Sequence, residues 1–309
     1  MPVLVPQGLP AVETLNKENI FVMTESRARA QDIRPLEIAI VNLMPTKIDT
    51  ETQLIRLLSN SSLQVHLTLI NMSGHVSKNT SEQHINAFYL NSDAAMQRRF
   101  DGLIVTGAPV ETIAFEEVDY WDRLTQIFEW SRTNVFSSLY ICWGANAALK
   151  HFYNVEKRLL SRKLSGIYEL ELYDTSSRLL RGFDDHFWMP QSRYATILPE
   201  DLEGTGLHLL AGSAATGAVV FSSTEHRSAF VTGHLEYDVL TLHKEYQRDI
   251  AAGLDIQMPI NYYPSNDPQK TPVICWRTYA YQLFSNWLNH YVYQETPFDL
   301  GCLGVSPYQ

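Results

Sequence analysis

Apolar and polar positions follow two different periods along this chain. The stretches Leu36 to Leu43 and Phe100 to Gly107, and the run that ends at Ile141, are almost continuously apolar and bounded by turn residues. Such runs predict strands buried on both faces. Between them apolar residues recur at helical spacing, with Leu54, Leu57 and Leu58 on one face of a helix predicted over 50–58, after a turn at Met44 to Lys47. A strand over 63–70, a polar loop over 71–82, and helices over 84–90 and 121–131 complete the first half. Strands alternating with helices predict βαβ units and a parallel sheet.

After Lys150 the period changes. Gly166 to Tyr173, parts of His208 to Phe221, and Arg227 to Val231 alternate apolar and polar residues, which predicts antiparallel strands or a mixed edge. A helix follows over 237–252, with Leu240, Leu242 and Tyr246 as core residues, then a Pro/Asn/Asp-rich loop over 261–268 and an aromatic-rich helix over 276–291. No internal repeat interrupts the pattern. The economical organisation is an N-terminal extension, 1–34, packed on one α/β domain, 35–309. In open α/β sheets ligands bind beyond the carboxyl ends of the strands. Asn42 to Lys47, Thr106 to Glu111, Cys142 to Gly144 and Gly233 to Glu236 all fall at such ends.

Composition narrows the partners. The chain has 309 residues, 19% of them charged and 45% apolar, enough for a large core and little disorder. A formal charge of −10 argues against nucleic acid or an anionic membrane as partner. No run approaches the roughly 18 apolar residues of a membrane span. The first residues lack the basic and apolar regions of a secretory signal, so a cytoplasmic location is expected. Cys142, Cys275 and Cys302 form no CxxC pair, and neither zinc nor a disulfide framework is implied.

Cys142 has the context of a nucleophile. It ends a strand, and Trp143 and Gly144 lead into an Ala-rich helix. A side chain on such a turn stands clear of the sheet, and the helix N-terminus stabilises a thiolate, the reactive form. Most lone cysteines are packing residues, and Cys275 and Cys302 lack this context. His234 and Glu236, at the end of a later strand, supply a base and the carboxylate that orients it, with Gly233 permitting an unusual backbone. Lys47 and the Trp143 N–H are candidates for stabilising an oxyanion. Arg248 is either a structural ion-pair partner or a bidentate site for a substrate carboxylate.

Glu18 to Thr24, Gln31 to Pro35, Asn42 to Lys47, Thr106 to Glu111, Phe115 to Trp121, Ile141 to Gly144, Arg181 to Asp185, Val231 to His234, Tyr262 to Pro268 and Asn286 to Asn289 together resemble the MetA family of homoserine O-acyltransferases. The resemblance covers nearly the whole chain. It implies a class I glutamine amidotransferase-like, flavodoxin-like α/β fold, mostly parallel, with helices on both faces and added antiparallel strands. It also implies ping-pong acyl transfer in methionine biosynthesis: Cys142 carries the acyl group, His234 is the base, Glu236 orients it, and Lys47 joins the oxyanion site. Lys163, Ser192 and Arg248 match positions that bind or border the amino-acid substrate. No metal or tightly bound cofactor is required, and a homodimer is expected.

Within the family, Glu rather than Gly at Glu111 accompanies acetyl-CoA rather than succinyl-CoA. A fixed carboxylate takes up the space of the longer acyl chain and repels its terminal charge. Acetyl-CoA is therefore the expected co-substrate, with homoserine as acceptor. The chain departs from the family pattern at Gln191 and Leu170, where His is frequent, and at Leu235, where Pro is common. L-serine, one methylene shorter, is the rival acceptor and would place the enzyme in cysteine biosynthesis. A glutamine amidotransferase-type hydrolase is the rival reaction, disfavoured because Tyr140 stands where that elbow usually has Gly. A noncatalytic protein that keeps the fold is the third reading.

Overall fold

The computed structural model describes residues 3–6, 8–18, 22–23, 34–72 and 79–303. The motif segments 19–21 and 24–33, and the part of the predicted loop at 73–78, lie outside the described residues. In chain order the strands are β1 (Val3–Leu4), β2 (Val22–Met23), β3 (Leu36–Val41), β4 (Val65–Asn71), β5 (Tyr89–Asn91), β6 (Phe100–Val105), β7 (Val135–Ile141), β8 (Arg158–Leu172), β9 (His186–Thr196), β10 (His208–Ser213), β11 (Gly217–Ser223) and β12 (Ser228–Val231). The α-helices are α1 (Ala11–Lys17), α2 (Lys47–Leu58), α3 (Glu82–Phe88), α4 (Ser92–Ala95), α5 (Trp121–Asn134), α6 (Trp143–Tyr153), α7 (Thr241–Ala251) and α8 (Arg277–Asn286). A π-helix, Trp287–Tyr293, continues α8.

The strands form one sheet in the order β2-β1-β4-β3-β6-β7-β12-β11-β10-β8-β9, with β5 on β4. From β2 to β12 every pairing is parallel; from β12 to β9 every pairing is antiparallel. β12 is the hinge between the two patterns. The parallel strands read as apolar runs because both of their faces are covered. Leu36, Ile38 and Ile40 point into a core shared with Leu54, Leu58, Leu283 and Trp287; Ala39 and Val41 point into one shared with Leu124, Phe128, Ala147 and Leu149. α2, α8 and the π-helix thus cover one face, and α5 and α6 the other. No helix among the described residues is long and apolar enough to cross a membrane.

Several expected boundaries move. α2 begins at Lys47 rather than Thr50, so that lysine stands in the first helical turn. The helix expected over 84–90 runs over Glu82–Phe88, and the chain becomes strand at Tyr89. α7 begins at Thr241 rather than Tyr237, leaving Leu240 exposed and Tyr246 half-buried, so of the three expected core residues only Leu242 is fully buried. β9 has no counterpart in the sequence pattern. Its run Phe187 to Arg193 is buried without alternating, and Pro190 argues against a strand; it is tolerated because β9 is an edge strand, where a missing N–H costs no ladder bond.

The described part of the first 34 residues packs on this sheet. β1 pairs with β4, and Leu9 and Leu15 are buried in the α2-side core. Arg34 joins both ends of the chain to β6: it donates two bonds to the buried Asp101 carboxylate, at 3.0 and 2.8 Å, and one to the Phe298 carbonyl at 2.6 Å. Asp101 also accepts from the Glu37 N–H at 2.8 Å and the Thr296 hydroxyl at 2.6 Å. Removing one partner of a buried pair leaves the other charge uncompensated. Asp101→Ala is therefore expected to lower unfolding free energy by about 3 kcal/mol, the low end for a buried pair because Arg34 keeps some solvent. Urea denaturation checks this; a loss below about 1 kcal/mol would place Arg34 among ordinary surface pairs.

Candidate active site

Parallel pairing brings the sequence-predicted residues together. β7 and β12 are neighbours, with Ile141 opposite Val231, and the Cys142 N–H donates to the Val231 carbonyl at 2.7 Å. The residues that follow each strand therefore leave the sheet side by side: Cys142 from β7, His234 and Glu236 from β12. On the other side of β7, Val105 pairs with Tyr140, which places the loop after β6 against the cysteine. A Cβ built on Gly107 would lie 3.1 Å from Cys142 Cβ and 3.7 Å from His234 Cε1, so a side chain there would crowd both.

Cys142 adopts φ 50° and ψ −117°, a conformation that costs an L-residue energy and that surrounding packing must hold. Gly144 provides that packing: a Cβ there would sit 2.6 Å from the Thr106 carbonyl oxygen, so only glycine lets α6 start so close to β6. At the first position of α6, the Trp143 N–H belongs to the set that finds no acceptor inside the helix and is free for a ligand. The Trp143 indole itself is buried against Phe115 and Tyr120 and is structural. Gly233 serves differently from expectation. It has no positive φ; its need is space, because a Cβ would meet Met189 Sδ at 2.4 Å and Gln191 Nε2 at 2.5 Å.

His234 is buried. Its Nδ1 lies 2.7 Å from Glu236 Oε1, and its ring and the Cys142 side chain both stand against Gly107 in the same cleft. Burial alone would depress the imidazole, but the opposing pull of the Cys142 sulfur and the Glu236 carboxylate outweighs it and holds His234 well above its ordinary value. That favours an imidazolium at His234. The Tyr237 ring stacks on the imidazole, centroids 4.1 Å apart, and fixes its plane.

The cleft over Cys142 is lined by Met44, Gly107, Glu111, Lys163, Ser192 and His234, and by Glu245, Arg248 and Asp249 on α7. Lys163 Nζ lies 2.9 Å from Asp249 and 3.6 Å from Glu245; Arg248 donates two bonds to Asp249, at 2.8 and 2.6 Å. Glu245 also accepts from the Ser192 hydroxyl and, at 2.8 Å, from the Tyr237 hydroxyl. Together these side chains bring both signs of charge to the wall of the cleft that holds Cys142. Glu111 is buried in the same cleft. Burial pushes its carboxyl above the usual range, against the lowering influence of its own backbone N–H, His234 and Lys163.

Sequence reasoning missed Glu245, Asp249 and Tyr237. Their signal was the spacing of Thr241, Glu245 and Asp249, which repeats every fourth residue and so shares one face of α7. Lys47 is a different case. Among the described residues it is not part of the cleft wall; its ammonium donates to the Asn42 carbonyl and lies 5.6 Å over the Tyr89 ring. Burial pushes it down to about 8, partly offset by Glu51. There it braces the loop after β3 rather than pointing at the thiol. Glu236 stands behind His234, away from the cleft, as an orienting group should. The divergent Gln191, Leu170 and Leu235 are buried outside the cleft wall, so the wall itself offers no departure favouring a shorter acceptor.

The architecture has relatives among solved structures. A glutamine amidotransferase from Thermotoga maritima superposes with a TM-score of 0.55 over 84% of this chain and 99% of that one, at 11% identity, a likeness of fold alone. Sequence relatives are far nearer. The homoserine O-acetyltransferase of Petrotoga mobilis is 52% identical over 97% of each chain, and that of Thermotoga neapolitana 54% identical over 97% of this chain and 99% of its own. The family model described as homoserine O-succinyltransferase matches residues 2–298. With its elbow cysteine, its buried His234 and nearly its whole length accounted for, the chain belongs to the homoserine O-succinyltransferase family.

Proposed function

We propose that this chain is an acetyl-CoA-dependent homoserine O-acetyltransferase of methionine biosynthesis, working through an acyl-thioester on Cys142. The observation that carries the reading is one cleft that brings Cys142 and His234 together, with Glu236 bonded to the ring from behind, a buried carboxylate at Glu111 and side chains of both charges along its wall. Relatives named homoserine O-acetyltransferase at about half identity support both the acetyl donor and the homoserine acceptor.

The chemistry runs in two halves. The Cys142 sulfur attacks the thioester carbonyl of acetyl-CoA, and the oxyanion faces the Trp143 N–H. As the tetrahedral intermediate collapses, CoA leaves as a thiol with the proton of the His234 imidazolium. Homoserine then enters, and the neutral imidazole takes the proton of its hydroxyl while that oxygen attacks the Cys142 thioester. Collapse returns the sulfur to its anionic form and releases O-acetylhomoserine, with His234 again protonated. Glu236 keeps Nδ1 hydrogen-bonded throughout, so Nε2 is the nitrogen that exchanges protons. The acceptor's α-carboxylate is assigned to Arg248 and Lys163, its α-ammonium to Glu245 and Asp249, replacing pairings these side chains make with one another. By family resemblance the enzyme acts as a cytoplasmic homodimer.

Incubation with acetyl-CoA alone should add one acetyl group to the Cys142 peptide by mass spectrometry. Cys142→Ala should lose both adduct and turnover; an adduct that survives the substitution would sink the covalent mechanism. Lys163→Met should raise the homoserine KM by about tenfold or more, the worth of a charged hydrogen bond, with the CoA-releasing first half unchanged. Equal damage to both halves would remove Lys163 from acceptor binding.

Glu111→Gly should move donor preference toward succinyl-CoA. The charge part of that preference is pH-dependent. Glu111 repels a succinyl carboxylate only when ionised, so discrimination holds above its pKa and weakens as pH falls through it. Because burial raises that pKa, the weakening should begin above the normal carboxylate range. The acetyl-to-succinyl ratio of kcat/KM, followed against pH, should slope in the native enzyme and be flat in Glu111→Gln. A flat native profile would leave only the steric part.

A further inference from the structure

One side chain, Tyr237, touches both the base and the acceptor wall. Its ring faces the His234 imidazole, the planes 21° apart, and its hydroxyl donates to Glu245 Oε1 at 2.8 Å. Only 5% of the residue is exposed, and that part lies on the cleft wall. Burial, with the Glu245 and Glu236 carboxylates close by, holds the phenol well above its ordinary value, so at neutral pH it is a hydrogen-bond donor.

The backbone on either side is braced as well. The Tyr237 N–H donates to the His234 carbonyl at 3.3 Å, and the buried Trp276 indole donates to the Tyr237 carbonyl at 3.0 Å. Beyond it the Asp238 N–H donates to the Thr241 hydroxyl at 3.1 Å, and the Thr241 N–H returns to the Asp238 carbonyl at 3.0 Å, which closes the turn into α7. A tyrosine has only two side-chain torsions. With its backbone, face and tip all held, this one is rigid.

Glu245 is held from two sides. Tyr237 bonds Oε1, while the Ser192 hydroxyl donates to Oε2 and Lys163 Nζ stands 3.6 Å from that same oxygen. Lys163 lies closer to Asp249, at 2.9 Å, so its hold on Glu245 is the weaker one. Hydrogen bonds to an ionised carboxylate are the strong kind, and the one from Tyr237 fixes the oxygen that Ser192 and Lys163 leave free.

Acyl transfer needs the acceptor fixed at two points: its hydroxyl at His234 Nε2 and its α-ammonium at Glu245. A rigid side chain in contact with both residues sets the separation of those points. We propose that Tyr237 is a positioning residue that selects acceptor length, its ring fixing His234 and its hydroxyl fixing Glu245 at the separation that fits homoserine rather than serine. The inference rests on His234 as the base and on Glu245 as the partner of the acceptor's ammonium.

Steady-state kinetics of the full chain separates the two contacts. In ping-pong transfer kcat/KM for acetyl-CoA reports the first half and kcat/KM for the acceptor the second. Tyr237→Phe deletes one oxygen and keeps the stacked ring. It should lower kcat/KM for homoserine by about tenfold, the worth of a hydrogen bond to a charged group, lower the homoserine-to-serine ratio by about threefold or more, and leave kcat/KM for acetyl-CoA within about twofold. Tyr237→Leu also removes the ring and should lower both halves by about tenfold or more. A merely structural role would damage both halves in both variants. That result overturns the proposal, as does an unchanged homoserine-to-serine ratio in Tyr237→Phe or an intact first half in Tyr237→Leu. Glu245→Ala is the control on the underlying reading: if it leaves kcat/KM for homoserine unchanged, the ammonium assignment fails and this inference with it.

Discussion

The parallel pairing of β7 with β12 is the constraint on which the active site depends. One hydrogen bond, from the Cys142 N–H to the Val231 carbonyl, marks where the two strands end together. Past it the chain turns in two directions: β7 breaks into α6 through a strained cysteine, while β12 enters the short turn that carries His234 and Glu236. Loop residues whose positions were set by flexible connections would pay ordering entropy to meet. Here both sides are anchored within three residues of a buried ladder, so Cys142 and His234 are pre-organised by the core itself.

The antiparallel half of the sheet has a different task. β8 and β9 leave the plane of βαβ units and bring Lys163, Ser192 and Arg193 to the same end as the parallel strands. α7 then lays Glu245, Arg248 and Asp249 across the opening. The result is a site with a buried floor, formed by Cys142 and His234, and a charged rim, where Lys163 and Arg248 are paired with Glu245 and Asp249.

Much of this architecture was legible in the chain. Buried parallel strands announce themselves as continuous apolar runs, and Cys142-Trp143-Gly144 at the end of one is a local signal that needs no partner to be read. His234 and Glu236 were legible because they too follow a strand end. β9 was not, since its burial on an edge breaks alternation and its Pro190 imitates a turn. The start of α7 was misplaced because Tyr237 is apolar enough to pass as helical, whereas its ring is held against His234. Lys47 stands near the sheet edge as expected, in the first turn of α2 with its ammonium on the Asn42 carbonyl: one helical turn decides which way a lysine points, and the sequence pattern does not carry that angle.

By itself, then, the sequence determined the class of fold, the order of its parallel strands and the strand-end places of Cys142, His234 and Glu236, the candidates for nucleophile, base and orienting carboxylate, because these depend on hydrophobic period and on local turns. Tertiary structure alone decided what surrounds them. That Gly233 is needed for space, that Glu245 and Asp249 meet Lys163 in the cleft, and that Arg193 is buried against neutral acceptors are consequences of strands and helices distant in the chain meeting in one sheet. Side-chain direction and dielectric environment are properties of that meeting, and no residue carries them alone.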